Sequence, residues 1–350
     1  MRLRIATFNV ENLVSRNAYG PKARPQTGPA LSLFDFADPA MREHIQAATA
    51  VALEDDERQA TALAVAETRA DILCLQEVDS LGVLAPFLSN YVHAVSDIRY
   101  GHMRLMPGND PRGIDVAFAA RKELFADEEQ VVARSWKDAT FAELGVHDPE
   151  LAEMGIPEDA KVFNRDCLEV SLEFEKTSLV LFICHMKSTG YGKRGSSPAL
   201  RAAESRAVRA IVERRFGAGW RDAHWIVAGD LNASPLAILP GGEVRAPERS
   251  GIEPLLEDFA VDPCTALPET ERWTYYHRET ADGRVVADRH VQIDHLLLSP
   301  ALARANPTPR VEILRRGLPY RVPLDPAHPD RSIGWLATRA DRYPRIGWER

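Results

Sequence analysis

The chain has no pair of closely spaced cysteines. Its four, Cys74, Cys167, Cys184 and Cys264, are scattered, and three lie inside apolar, strand-like runs. That pattern argues against a disulfide framework or a thiolate zinc site and for buried thiols in a reducing compartment. No apolar run approaches the ~20 residues that span a bilayer. Met1 to Phe8 enters a strand at once and leaves no room for a signal peptide, so a soluble, cytoplasmic protein is expected. There is no excess of positive charge: the net charge is −8, with 43 Lys and Arg against 51 Asp and Glu. Global attraction to nucleic acid or to an anionic membrane is thereby excluded, although a local basic or metal-neutralised cleft is not. Internal repeats and low-complexity tracts are also absent.

What is present is an ordinary globular composition, 45% apolar over 350 residues, enough for one large α/β domain. Strands are expected at Leu3–Val10, Asp71–Val78, Val92–Asp97, Ile114–Ala119, Cys167–Phe174, Ser178–Cys184, Ala223–Ala228, Gln292–Leu298 and Val311–Arg315. Trp273–His277 and Val285–Val291 flank Ala281-Asp282-Gly283-Arg284, a hairpin turn. Helical spacing marks Glu54–Thr68, Leu81–Leu88 and Pro198–Phe216. Residues 15–50 read as a surface insertion, and the acidic pieces of 121–161 as a peripheral one. Many strands with few helices between them suit two packed sheets flanked by helices.

Polar clusters stand where apolar strands run out: Asn9 and Glu11, Gln76 and Glu77, His185, and Asp230 and Asn232, with Asp294 opening a further strand. A rigid scaffold presents a site in this way. Each has a plainer reading on its own, as a turn cap, a solvated strand end or a satisfied core histidine. Together they suit a hard Mg²⁺ or Mn²⁺ ion, which takes a few oxygen ligands and keeps positions open for water and phosphate. Glu77 is the leading ligand candidate, with Asn9, Glu11, Asp230 and Asn232 supplying further oxygens and His185 a donor to phosphate. The basic loop Ser188–Gly195, with Lys187 just before it, offers Lys187, Lys193 and Arg194 to a phosphate, or is a solvated loop. Arg112 faces phosphate or forms a rim salt bridge. Trp273, Tyr275 and Tyr276 are placed to stack on a base or to pack. Arg201 and Glu204, one helical turn apart, read as a surface pair.

The ordered set TFNVENL, LQEV, CHMKS, GDLNASP and QIDHLLLS resembles the endonuclease/exonuclease/phosphatase superfamily over residues 3 to 300. That superfamily includes abasic-site endonucleases, pancreatic-type DNases, sphingomyelinases and inositol-polyphosphate 5-phosphatases. The resemblance implies an α/β fold: a four-layer α/β sandwich, two mainly antiparallel sheets packed face to face with flanking helices, forming a single domain over residues 1–350. It implies divalent-metal-dependent cleavage of a phosphoester, with Asn9, Glu11 and Glu77 on the metal side. Asp230 and Asn232 would orient water and bind phosphate, His185 would contact phosphate, and Asp294 would orient a catalytic histidine. The Ser-Asp-His that normally supplies this histidine has no counterpart here. A final strand beyond Arg350, substitution by His290, His295 or His328, or a degenerate relative would each account for that. The expected activity is a nuclease on DNA or RNA, acting as a monomer. The alternatives are a phosphodiesterase or phosphatase on a small molecule or phospholipid headgroup, and a non-catalytic binding module that keeps the fold.

Overall fold

The structure is a computed structural model that describes residues 2–13, 58–188, 197–239, 242–281 and 284–315. In chain order its strands are β1 (Ile5–Leu13), β2 (Ile72–Val78), β3 (Tyr100–Leu105), β4 (Asp115–Arg121), β5 (Val131–Ser135), β6 (Cys167–Phe174) and β7 (Thr177–His185). There follow β8 (Trp225–Asp230), β9 (Ala237–Ile238), β10 (Val244–Arg245), β11 (Tyr275–Ala281), β12 (Arg284–Val291) and β13 (Asp294–Leu298). They form a four-stranded sheet, β1-β2-β4-β3, and a five-stranded sheet, β13-β8-β7-β6-β5; a small four-stranded sheet, β10-β9-β12-β11, stands beside them. Pairing is antiparallel except for β1 with β2 and β7 with β8.

The two main sheets pack face to face. Ile72, Cys74, Val116 and Phe118 of the first meet Leu168, Val170, Leu181 and Ile183 of the second. The alternate residues face outward onto helices. Leu73, Leu75, Ala117 and Ala119 pack on Ala62 and Val65 of the helix over residues 58–68. Val180, Phe182, Trp225 and Val227 pack on Ala203, Ala207 and Ile211 of the helix Ser197–Phe216. The result is helix, sheet, sheet, helix: the four-layer α/β sandwich. Burial on both faces explains why β2 and β7 read as unbroken apolar runs instead of alternating.

Three expectations are corrected. Val92–Asp97 is not a strand: a π-helical turn, Phe87–Val92, runs into the helical turn His93–Val95, with Ser96 and Asp97 in a bend, so that Phe87, Leu88 and Val92 bury one helical face. The strand comes later, at Tyr100–Leu105. Residues 311–315 are irregular. The segment 121–161 is not merely peripheral, because it contributes edge strand β5 and buries Trp136, Phe141 and Leu151 in the core under the long helix. Among the described residues no helix is long and apolar enough to cross a membrane.

Candidate active site

The two parallel pairs deliver their C-terminal ends to one place. Asn9 lies opposite Gln76, and His185 opposite Asp230. The antiparallel β13 then sets Asp294 opposite Asp230. Backbone conformation does the final aiming. Glu11, Glu77 and Asn232 adopt left-handed φ values of 50°, 65° and 51°, which side-chain-bearing residues seldom take. At Glu77 this coincides with a register shift against β4 that breaks the alternation of the strand. Gly229, at φ 146°, lies so close to β7 that an added Cβ would sit 1.8 Å from the Cys184 carbonyl oxygen. The glycine therefore permits the close approach that carries Asp230 up to His185.

The carboxamide of Asn9 joins the sheets. Its Nδ2 donates to Glu77 Oε1 at 3.3 Å and to Asp230 Oδ2 at 3.1 Å, while its Oδ1 accepts from the Glu11 amide at 3.0 Å. Asp230 Oδ1 accepts the Asn232 amide at 2.9 Å, an Asx turn that fixes the loop. Asn232 Nδ2 donates to the Met186 carbonyl at 3.2 Å. His185 Nε2 lies 3.7 Å from Asp230 Oδ2 and 3.9 Å from Glu77 Oε1. Five predicted residues, Asn9, Glu77, His185, Asp230 and Asn232, thus form one connected group, with Glu11 tied to it through its backbone. Burial, and then Asp294, push the Asp230 carboxyl well above the usual carboxylate range. Burial likewise raises Asp294. Burial, and then the charge of Arg165, hold His185 well below its ordinary pKa, so its ring is neutral near pH 7.

A layer of charged residues braces this group; of these, Arg165 and Asp110 do not stand out in the sequence. Arg165 is buried, donates to the Met186 carbonyl at 3.0 Å and pairs with buried Asp110 at 3.2 Å. Asp110 also takes both ends of Arg112, from Nε at 3.0 Å and Nη2 at 2.9 Å, the rim salt bridge expected for that arginine. Arg201 and Glu204 are not a surface pair: only 4% and 2% of their area is exposed. Glu204 accepts the amides of Lys187 at 2.8 Å and Asn164 at 3.3 Å. Arg201 donates to the carbonyls of Lys187 and Ser250, both at 3.1 Å. Both charges are tolerated on the inner face of this Ala-rich helix because backbone groups of the neighbouring loops partner them.

Two of the three candidate replacement histidines, His290 and His295, are engaged elsewhere. His295 is buried and turns from the cleft, with Nδ1 3.6 Å from Asp262 and Nε2 donating to the Ala233 carbonyl at 3.0 Å. His290 stacks on buried Trp273 with ring centres 4.0 Å apart. Trp273 is therefore core, Tyr276 leans on His290, and Tyr275 is exposed. Lys193, Arg194 and His328 lie outside the described residues.

Among the described residues no three His, Cys, Asp or Glu side chains gather as a metal cage. Mg²⁺ does not require one, because it is held by one or two carboxylates and keeps several waters. Glu77 fits that pattern: its carboxylate is part exposed, at 16%, beside the buried Asp230 and a neutral imidazole. A cation there would offset the burial and the neighbouring Asp294 charge that raise Asp230.

Two packed sheets between helices, with carboxylate, carboxamide and imidazole groups joined where their strand ends meet, make up the four-layer α/β sandwich and its candidate site. The chain belongs to the Endonuclease/Exonuclease/phosphatase family, which matches it over residues 6–314. Members of that family are phosphoester hydrolases and generally use divalent metals. Three solved structures are similar at low identity. The human Nocturnin catalytic domain with bound sulfate anion is 16% identical, with 69% of this chain and 75% of that chain covered and a TM-score of 0.44. A family protein from Leptotrichia buccalis is 13% identical, covering 69% and 80%, with a TM-score of 0.43. TDP2 from D. rerio, complexed with single strand DNA product, is 18% identical, covering 69% and 76%, with a TM-score of 0.40. No curated protein matches.

Proposed function

We propose that the chain is a divalent-metal-dependent phosphodiesterase that cleaves DNA or RNA. The observation that carries this reading is the Asn9 bridge, which holds Glu77 of one sheet and Asp230 of the other in a single polar group. Glu77, with Asn9 and Glu11 beside it, would hold the metal. When bound, Mg²⁺ or Mn²⁺ supplies polarisation of the phosphate and charge neutralisation at the leaving oxygen. Asp230, raised by burial and by Asp294, is tuned to accept a proton from the attacking water near neutral pH. Asn232 orients that water, and neutral His185 donates from Nε2 to a phosphate oxygen as charge develops. Arg112, whose charge bears on His185, and Lys187, two residues beyond that histidine, supply positive charge to the flanking phosphates, a role we extend to Lys193 and Arg194.

The net charge of −8 favours a second reading, a small phosphodiester or phospholipid headgroup. A panel of abasic, single-stranded and duplex DNA, RNA, cyclic nucleotides and sphingomyelin, each with and without Mg²⁺ or Mn²⁺, separates the two. The nuclease reading predicts metal-dependent turnover of at least one nucleic acid above the small esters. Turnover of sphingomyelin or cyclic nucleotides alone would replace it with the second reading, and no turnover at all would leave a binding module.

A further inference from the structure

Next to the polar group lies a cavity of about 430 Å³ to which no role has yet been given. Its volume is within the range of small-molecule sites. Phe141, Ile156 and Leu200 form an apolar wall, and Asn164 and Lys187 stand on the polar side. The chain connects it tightly to the site. Asn164 precedes Arg165, whose Nη1 donates to the Met186 carbonyl, and Lys187 follows His185 by two residues, roughly 7 Å of extended backbone. Glu204 at the cavity edge repels little, because its two oxygens accept the Lys187 and Asn164 amides. Among the described residues the exposed carboxamide of Asn164 makes no hydrogen bond, while its backbone is anchored. An anchored carboxamide offers two donors and one acceptor to the edge of a planar heterocycle, and an apolar wall offers contact to its face.

Building on the phosphodiesterase reading, we propose that this cavity receives the nucleobase flanking the scissile phosphate. The apolar wall takes the face of the base, Asn164 reads its edge, and Lys187 stands between base and phosphate. Whether the base belongs to a strand or to a free nucleotide, the chemistry is shared.

The test compares the p-nitrophenyl ester of thymidine 5′-phosphate with bis-p-nitrophenyl phosphate, which has no base, in the full chain with Mg²⁺ or Mn²⁺. Leu200→Trp fills the cavity and Asn164→Ala removes the edge contact. Both should lower kcat/KM for the thymidine ester tenfold or more, through KM, and change the base-free ester by less than twofold. Asn164 is exposed and makes no side-chain hydrogen bond, so its variant keeps the test alive if Leu200→Trp does not fold. Loss on both esters alike, or on neither, overturns the proposal. Octathymidylate shows the source: an equal loss points to a strand and no loss to a free nucleotide, and either supports a base site. If the parent chain hydrolyses neither ester, the phosphodiesterase reading fails by itself. Thymidine 5′-monophosphate titrated in EDTA then decides: binding that Leu200→Trp abolishes supports the base site, and no binding by the parent overturns it.

Discussion

At Gly229 a single missing methyl group decides whether two strands can close. A Cβ there would meet the Cys184 carbonyl oxygen at 1.8 Å, and the backbone is at φ 146°. Gly229→Ala should therefore cost roughly 4 kcal/mol or more, the range of exceptional single substitutions, read as soluble yield and thermal midpoint. Asp230 makes the opposite statement about stability. Its folded pKa is raised, so the stability linked to it is full below the unfolded value of about 3.9 and is lost as pH rises through the folded pKa. In EDTA, Asp230→Asn should melt higher than the parent at pH 8, and the gap should close at pH 4. The same variant should lose on the order of 10²–10⁴-fold in hydrolysis, the usual worth of a positioned base. Glu77, His185, Asp230 and Asn232 are legible in the sequence because each ends a buried strand, where a polar residue has no packing reason to stand. The Asn9 bridge is legible only as a residue and not as a contact, since its partners lie 68 and 221 positions away.

Two elements hold the loops that carry these residues. Under the loop after β8, the Asp262–His295 pair anchors the Ala233 carbonyl. Burial pushes His295 down, but the hydrogen bond and charge of Asp262 outweigh it, and the net shift is upward. Burial raises Asp262, but His295, the Cys264 amide and Gln292 outweigh it, and the net shift is downward. The pair therefore stabilises from above the unfolded Asp value of about 3.9 to beyond the unfolded His value of about 6.5, and its contribution fades as pH rises through the raised folded pKa. Asp262→Asn should lower the melting temperature at pH 6 and narrow the difference at pH 9. On the other side, Glu204→Ala leaves the Lys187 and Asn164 amides without their acceptor, at about 1–3 kcal/mol for each unsatisfied group. It should lower turnover as well as the melting temperature. These braces are not legible as such. Charged residues at helical spacing look alike whether they face water or the backbone of a neighbouring loop, and Arg201 and Glu204 look solvated for that reason. Strands buried on both faces, β2 and β7, are legible to within a residue or two, because a short apolar run bounded by turns is the pattern a doubly covered strand requires, and β6 is legible by its alternation.

At the scale of the molecule, the proposed site is divided between two sheets packed face to face, at the end where their strand termini meet. The first contributes Asn9, Glu11 and Glu77, the second His185, Asp230, Asn232 and Asp294, and the long helix locks the second in place. Sequence pattern shows two packed sheets with flanking helices. The contribution of 131–163 is hidden in it, because Trp136, Phe141 and Leu151 are scattered among acidic turns and reach the core only through tertiary packing. A site shared between sheets couples metal to stability. Mg²⁺ bound only by the folded chain should raise its melting temperature by mass action, and Glu77→Ala should abolish that rise. The most direct measurement is hydrolysis of plasmid DNA and bis-p-nitrophenyl phosphate by the purified chain with Mg²⁺ or Mn²⁺, beside Glu77→Ala and Asp230→Ala. We predict turnover that EDTA stops and that each substitution abolishes while the variants remain folded; turnover unchanged by both would contradict the site built around Asn9, Glu77 and Asp230.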